Sequence, residues 1–212
     1  MSKSEVEMII NMNSFRFSEI YKERYINNIY FDTPLLTNYF DNIEGNYNKK
    51  KTRIRWYGDL FGQVDNPILE FKIKKGELGE EKTYSLENFN FECDYFKNDF
   101  LALFDKCNQK SIIKTKGLRP TLLNRYKRKY FQSFDKKFRI TLDTNLRYYS
   151  IFNRIVSLHG GYLDDQNVIL ELKYGIEMQE DANFISNNFP FRMTKSSKYV
   201  MGIERVVTNR QL

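Results

Sequence analysis

Between residues 51 and 57 the chain alternates charge and hydrocarbon without a slip. Lys51, Arg53, Arg55 and Tyr57 fall on one side, and Thr52, Ile54 and Trp56 fall on the other. A period of two is the signature of a strand with one buried face, and a helix would scatter these residues around its circumference. The pattern recurs at residues 68–75, where Glu70, Lys72 and Lys74 oppose Leu69, Phe71 and Ile73, and again at 168–174. A chain patterned this way must build a sheet and cover its apolar side.

The remaining segments read accordingly. Residues 24–32 are β-branched and aromatic enough for a strand, and Thr33-Pro34 starts a helical turn toward Gly45. Gly76 and Gly79 bound a turn that leads into a strand at 80–86, which predicts a hairpin. Pro120 permits a strand start, and 121–132 with 137–146 predict a second hairpin around Phe134-Asp135. Gly160-Gly161 marks a further turn. Ser4 and Glu7 fit a capping box that opens a short helix with Val6, Ile9 and Ile10 on one side. Phe96, Phe100, Leu103, Phe104 and Cys107 recur at helical spacing, which predicts a helix from about Tyr95. Residues 180–189 and 198–206 predict two more helices, separated by Pro190. Tyr148-Tyr149 is assigned to the core. The expected architecture is a single α+β domain over residues 1–212, with an antiparallel sheet of about eight strands.

Composition closes off other classes. In 212 residues, 41% hydrophobic and 16% aromatic residues supply a core without staples. Apolar runs are only a few residues long, so no bilayer-spanning helix is expected. The opening MSKSEVEMIINM lacks an apolar run of signal length, so a cytoplasmic chain without a leader is expected. Two cysteines, Cys93 and Cys107, and one histidine, His159, exclude a disulfide framework and a structural zinc site. Reduced thiols and a loop histidine are expected instead.

Charge is where the strands depart from ordinary ones. Their alternating faces carry Lys51, Arg53, Arg55, Lys72, Lys74, Lys82, Arg128, Arg139 and Lys173, nine cations against the three anions Glu70, Asp143 and Glu171. Six of the seven excess positive charges of the chain therefore sit on strand faces. Two cations ~6 Å apart repel by roughly 3 kcal/mol at an effective dielectric of about 20. A fold tolerates this when water screens an exposed face or when a polyanion sits among the cations. The apolar faces of the same strands need helices over them. Closing the sheet with that side outward puts the cations inside a tunnel.

Seven ordered motifs carry a family resemblance. They are Ile29-Tyr30-Phe31-Asp32-Thr33, Lys51-x-Arg53-Ile54-Arg55-Trp56-Tyr57-Gly58, Leu69-Glu70-x-Lys72, Tyr126-x-Arg128, Arg139-Ile140-Thr141-Leu142-Asp143, Leu170-Glu171-x-Lys173 and Ser197-Lys198-Tyr199. In that order the chain resembles the VTC (vacuolar transporter chaperone) domain of the triphosphate tunnel metalloenzymes. The resemblance implies an antiparallel β-barrel tunnel with helices packed outside, and synthesis of inorganic polyphosphate from ATP with a divalent metal, Mn²⁺ or Mg²⁺. It assigns Arg53, Arg55, Lys72, Arg128, Arg139 and Lys198 to the catalytic site. Lys74, Lys82 and Lys173 join these as phosphate-binding residues. Glu171 is implied as the metal ligand, with Glu70 as a second. Tyr126 and Asp143 lie in matching motifs. The family's first strand, which precedes the first helix, is expected to be missing here.

Such a site needs little chemistry from the protein, since the terminal phosphate of a growing chain is already ionised and no general base is required. Arginine forks hold phosphate bidentately and lysines supply point charge. The alternative for Glu171 is a salt bridge to Arg53 or Lys173. Two other functions are carried: a non-catalytic domain that binds polyphosphate or triphosphate, and a basic barrel for single-stranded nucleic acid. The latter would use residues 49–51 and 125–129 with Tyr126, Tyr130 and Phe131, and the near-neutral remainder of the chain disfavours it. A homodimer and a membrane-embedded partner protein are further expectations.

Overall fold

The computed structural model describes residues 1–76, 78–92, 117–152 and 155–207. The helix expected from about Tyr95, together with Cys93 and Cys107, lies outside the described residues. The described chain opens with α1 (Lys3–Met12), β1 (Ser18–Asp32), α2 (Thr37–Ile43) and β2 (Asn48–Tyr57). It continues through β3 (Gly62–Val64), β4 (Ile68–Lys75), β5 (Leu78–Ser85) and β6 (Phe89–Phe91). Then follow β7 (Arg119–Gln132), β8 (Arg139–Phe152), β9 (Ile155–Val156), β10 (Tyr162–Asp164) and β11 (Ile169–Lys173). A 3-10 turn (Ile176–Met178) leads to α3 (Gln179–Asn187) and α4 (Lys198–Val206).

The main sheet runs β10-β8-β7-β1-β2-β4-β5, with β9 and β11 also paired to β8, and β3 and β6 form a separate two-stranded sheet. β1 pairs with β2, β2 with β4, β4 with β5 and β11 with β8, all antiparallel. The α+β, mostly antiparallel expectation is met. Among the described residues the paired strands run as an open path from β10 to β5. Alternation dictates which face each strand buries, but closure depends on two end strands finding each other, and no local pattern encodes that.

Two units divide the described residues. The first comprises Met1–Tyr25, Tyr126–Leu146 and Leu163–Ser196. Its core gathers Val6 and Ile10 of α1, Phe17, Phe131, Phe138, Ile140 and Leu142 of the strands and their turns, and Ala182 and Ile185 of α3. The cap of α1 lies two residues earlier than expected, at Ser2 instead of Ser4. Ser2 and Glu5 form the capping box, because the same S-x-x-E spacing occurs there and Glu7 instead serves Lys129 at 3.1 Å.

The second unit comprises Ile26–Arg125, Arg147–Tyr162 and Ser197–Leu212. The apolar faces expected of its strands are the buried ones: Ile54 and Trp56 of β2 and Leu69 and Phe71 of β4 pack with Ile29 and Phe31 of β1. Side chains of this kind stabilise by about 1.5–3 kcal/mol each when fully buried. The β3–β6 pair caps this core, with Phe91 5.4 Å edge-on from Trp56 and stacked on Phe61 at 5.4 Å. Three-residue strands leave too short a pattern to be read in advance. Tyr148 is fully buried, as expected, and His159 is exposed.

Candidate anion-binding site

The polar face of the second unit is assembled by register. β1 sets Asn28 opposite Arg55 and Tyr30 opposite Arg53, and β2 sets Arg53 opposite Glu70, Lys51 opposite Lys72 and Lys49 opposite Lys74. Directly opposed residues share a face, so these side chains form one polar ladder.

At its centre one carboxylate holds two arginines. Glu70 accepts from Arg53 Nε at 2.6 Å and lies 3.0 Å from Arg55 Nη1, while its own side chain is only 7% exposed. Arg53 also donates to the Tyr30 hydroxyl at 3.2 Å, and Arg55 Nε donates to Asn28 Oδ1 at 3.3 Å. Each guanidinium is thus fixed at two of its three nitrogens. A planar fork held this way points in a set direction, and an oriented guanidinium suits recognition of a phosphate.

Beyond the arginines the ladder turns wholly basic. Two rungs in succession, Lys51–Lys72 and Lys49–Lys74, set like charges directly opposite, an arrangement that is destabilising by itself. Lys51 feels it most: burial, then Lys72, Arg53, Lys49 and Lys74, push its ammonium down to about 8. Its Nζ donates to Ser197 Oγ at 2.8 Å, and the same oxygen caps α4 by accepting from the Val200 amide at 3.4 Å. Lys198 follows as the first residue of α4, half-buried.

Asp32 anchors this end of β1. Its buried carboxylate accepts from the amides of Asn38 and Tyr39 at 2.9 and 3.0 Å, which caps α2, and from the Tyr199 hydroxyl of α4. Burial and the neighbouring charge of Asp32 hold the Tyr199 hydroxyl far above its usual range, so it remains a donor. Tyr199 packs 5.2 Å from the Tyr30 ring, which ties α4 to the arginine site.

Three expected site residues meet different surroundings. Lys82 stands opposite Phe71 in register, on the face of Phe71 and away from Lys72, and pairs with Glu80 at 2.7 Å. The phase of β5 is set by the geometry of the Gly76–Gly79 turn, which its sequence leaves open, and Lys82 therefore lies on the face opposite to the expected one. Arg128, in the first unit, donates to both oxygens of Asp143 at 2.5 and 2.7 Å. Burial opposes its charge, but those hydrogen bonds outweigh it and raise the guanidinium above its usual value. Glu70, implied as a second metal ligand, has both oxygens engaged by Arg53 and Arg55 and does not fit a cation.

Also in the first unit, Arg139 and Lys173 are exposed and directly opposed, and Glu171 stands opposite Thr141. Glu171 is half-buried and lies 3.9 Å from Lys173, which favours that pairing over one with Arg53. Among the described residues no group of three or more His, Cys, Asp or Glu converges as a metal site. A single carboxylate still fits Mg²⁺ or Mn²⁺ of the kind bound chiefly through substrate phosphates.

Lys51, counted on the basic face, and Tyr30, Asp32, Ser197 and Tyr199, all within the motifs, received no individual role from sequence reasoning, and Asn28 was not singled out. The alternation Asn28-x-Tyr30-x-Asp32, in phase with Lys51-x-Arg53-x-Arg55, was the available signal for three of them.

A family model for the VTC domain matches residues 3–207, nearly the whole chain. The chain belongs to the VTC domain family. No curated protein matches this VTC domain. Among solved structures it is similar to the PH1819 protein from Pyrococcus horikoshii OT3, at 13% identity and a TM-score of 0.50, covering 96% of this chain and 92% of that one. It is also similar to a Vibrio parahaemolyticus protein provisionally named an adenylate cyclase, at 13% identity and a TM-score of 0.49, covering 95% and 92%. At such identities the likeness concerns the fold alone. No described helix of the VTC domain is long and apolar enough to cross a membrane.

Proposed function

We propose that this VTC domain is a polyphosphate polymerase-like phosphotransferase that moves the γ-phosphoryl group of ATP onto the end of a polyphosphate chain. The observation that carries the reading is the pair Arg53 and Arg55, both oriented by Glu70, continued by two rungs of opposed lysines. A row of cations that repel one another in the empty protein is relieved by a ligand with negative charges in a row, and a phosphate chain has that form.

In this reading a terminal phosphate oxygen of the chain attacks the γ-phosphorus and ADP leaves. Arg53 and Arg55 hold the phosphates that react, and Lys51, Lys72, Lys74 and Lys198 hold the phosphates on either side. Arg139 and Lys173 are assigned to phosphate binding in the first unit. Glu171 of the first unit would hold the Mn²⁺ or Mg²⁺, which when bound would supply positive charge against phosphate oxygens. No step is assigned to Glu70 beyond orienting the arginines. Closure of the sheet into a tunnel, a cytoplasmic location, a homodimer and a membrane-embedded partner belong to the same proposal.

A second reading is non-catalytic binding of triphosphate or polyphosphate. It draws on Arg128 being committed to Asp143 and on Glu70 being committed to Arg53 and Arg55. The nucleic-acid reading loses support, since Tyr126 and Tyr130, the candidate stacking residues, are buried against Arg128 at 5.2 and 5.8 Å. Incubation with ATP and Mn²⁺, followed by gel analysis, separates the first two. Long-chain phosphate that disappears on Glu171→Gln supports the polymerase, and tight tripolyphosphate binding with no product supports the binding domain.

A further inference from the structure

Behind Arg55 a hydrogen-bonded chain continues through two asparagines, Asn28 and Asn124. Asn28 and Asn124 are both fully buried. Arg55 Nε donates to Asn28 Oδ1 at 3.3 Å, and Asn28 Nδ2 donates to Asn124 Oδ1 at 3.0 Å. Asn124 comes from β7, where its neighbours Leu122 and Leu123 are fully buried as well.

The direction of this chain of bonds is forced. A guanidinium can only donate, so the side of Asn28 that faces Arg55 must be its oxygen. Its NH₂ then faces Asn124, which must answer with an oxygen. Turned over, the Asn28 amide would set an NH₂ against an N–H, so Arg55 selects the oxygen, and an acceptor at 124 strengthens that choice by pairing an NH₂ that would otherwise be buried without a partner. Asn124 Nδ2 has no hydrogen-bond partner among the described residues. A leucine there would bury with no polar cost, so the residue is accounted for by what its oxygen does for Asn28.

We propose that Asn28 and Asn124 are positioning residues for Arg55: Asn124 sets the orientation of the Asn28 amide, and Asn28 fixes the Arg55 fork so that it meets phosphate in plane. Glu70 holds Nη1 and Asn28 holds Nε. Loss of the second contact lets the fork swing about the first. This rests on the phosphate-binding reading of Arg55.

The test is tripolyphosphate binding by calorimetry to the whole chain, with a double-mutant cycle against Arg55→Ala. Asn28→Ala and Asn124→Leu should each weaken binding about tenfold, on the scale of one oriented hydrogen bond to a charged group, and neither should weaken it further once Arg55 is alanine. Asn28→Asp guards against variants that misfold. It keeps the shape and an oxygen on Arg55 and replaces only the NH₂ that faces Asn124, whose unpartnered Nδ2 can turn toward the carboxylate, so the fold should be retained and melting little changed. Affinity should still fall, because the carboxylate competes with phosphate for the guanidinium. Equal losses in the presence and absence of Arg55, or wild-type affinity in all three variants, would overturn the inference. A wild-type chain that binds no tripolyphosphate would instead overturn the functional reading on which it rests.

Discussion

At the scale of single residues, Lys51 is the most telling side chain of the ladder. Burial and four neighbouring cations, Lys72, Arg53, Lys49 and Lys74, lower its ammonium from 10.5 to about 8 in the folded chain. The sign of the linkage follows. Below pH 8 the lysine is charged in both states, and the folded state bears the full cost of holding it. Between pH 8 and about 10.5 the unfolded chain binds the extra proton, so stability rises with pH in that window. Lys51→Met should therefore stabilise the protein at pH 7, by on the order of 2 kcal/mol after allowing for partial exposure, with the gain fading above pH 8. Thermal melts of both proteins from pH 6 to 10 check this, and a gain independent of pH would contradict it. Lys51 was legible as a member of the basic face. Its environment was not, because Ser197 reaches it across 146 positions of sequence.

The elements show where reading a sequence works and where it stops. β2, β4 and α4 fall where periodicity puts them, because each buries one continuous stripe and a shift by one residue would turn that stripe to water. Lys82 shows the limit: its strand was legible, its phase was not, since phase after a turn depends on turn geometry. Packing between elements was equally hidden. Gly202 in the middle of α4 costs about 1 kcal/mol in helix propensity relative to alanine. It is kept because a Cβ there would lie 2.5 Å from Leu122 and 2.6 Å from Tyr148. Gly202→Ala should push α4 off β7 and β8 and destabilise by about 1–3 kcal/mol despite the better propensity. Chemical denaturation measures it, and a more stable variant would mean that α4 does not approach the sheet so closely. Since Ser197, Lys198 and Tyr199 ride on α4, tripolyphosphate affinity should drop in the same variant.

For the whole molecule, the sequence motifs, spread from Ile29 to Tyr199, sufficed for the family, whose model matches residues 3–207, and the repeating strand pattern sufficed for the α+β class. They did not suffice for the hydrogen-bond partners that decide what each cation can do. Arg53 and Arg128 look alike in sequence, each in an alternating strand. Yet Arg53 shares the Glu70 carboxylate with Arg55, whereas Arg128 has Asp143 bonded to two of its nitrogens. The account turns on the first kind, arginines that are oriented by a carboxylate but outnumber it. Calorimetric titration of tripolyphosphate into the wild-type chain and the Arg53→Ala/Arg55→Ala variant, at pH 7 without metal, tests it most directly. Micromolar or tighter binding to the wild type, weakened at least a hundredfold in the variant, is the predicted result. Undiminished binding in a folded double variant would contradict it.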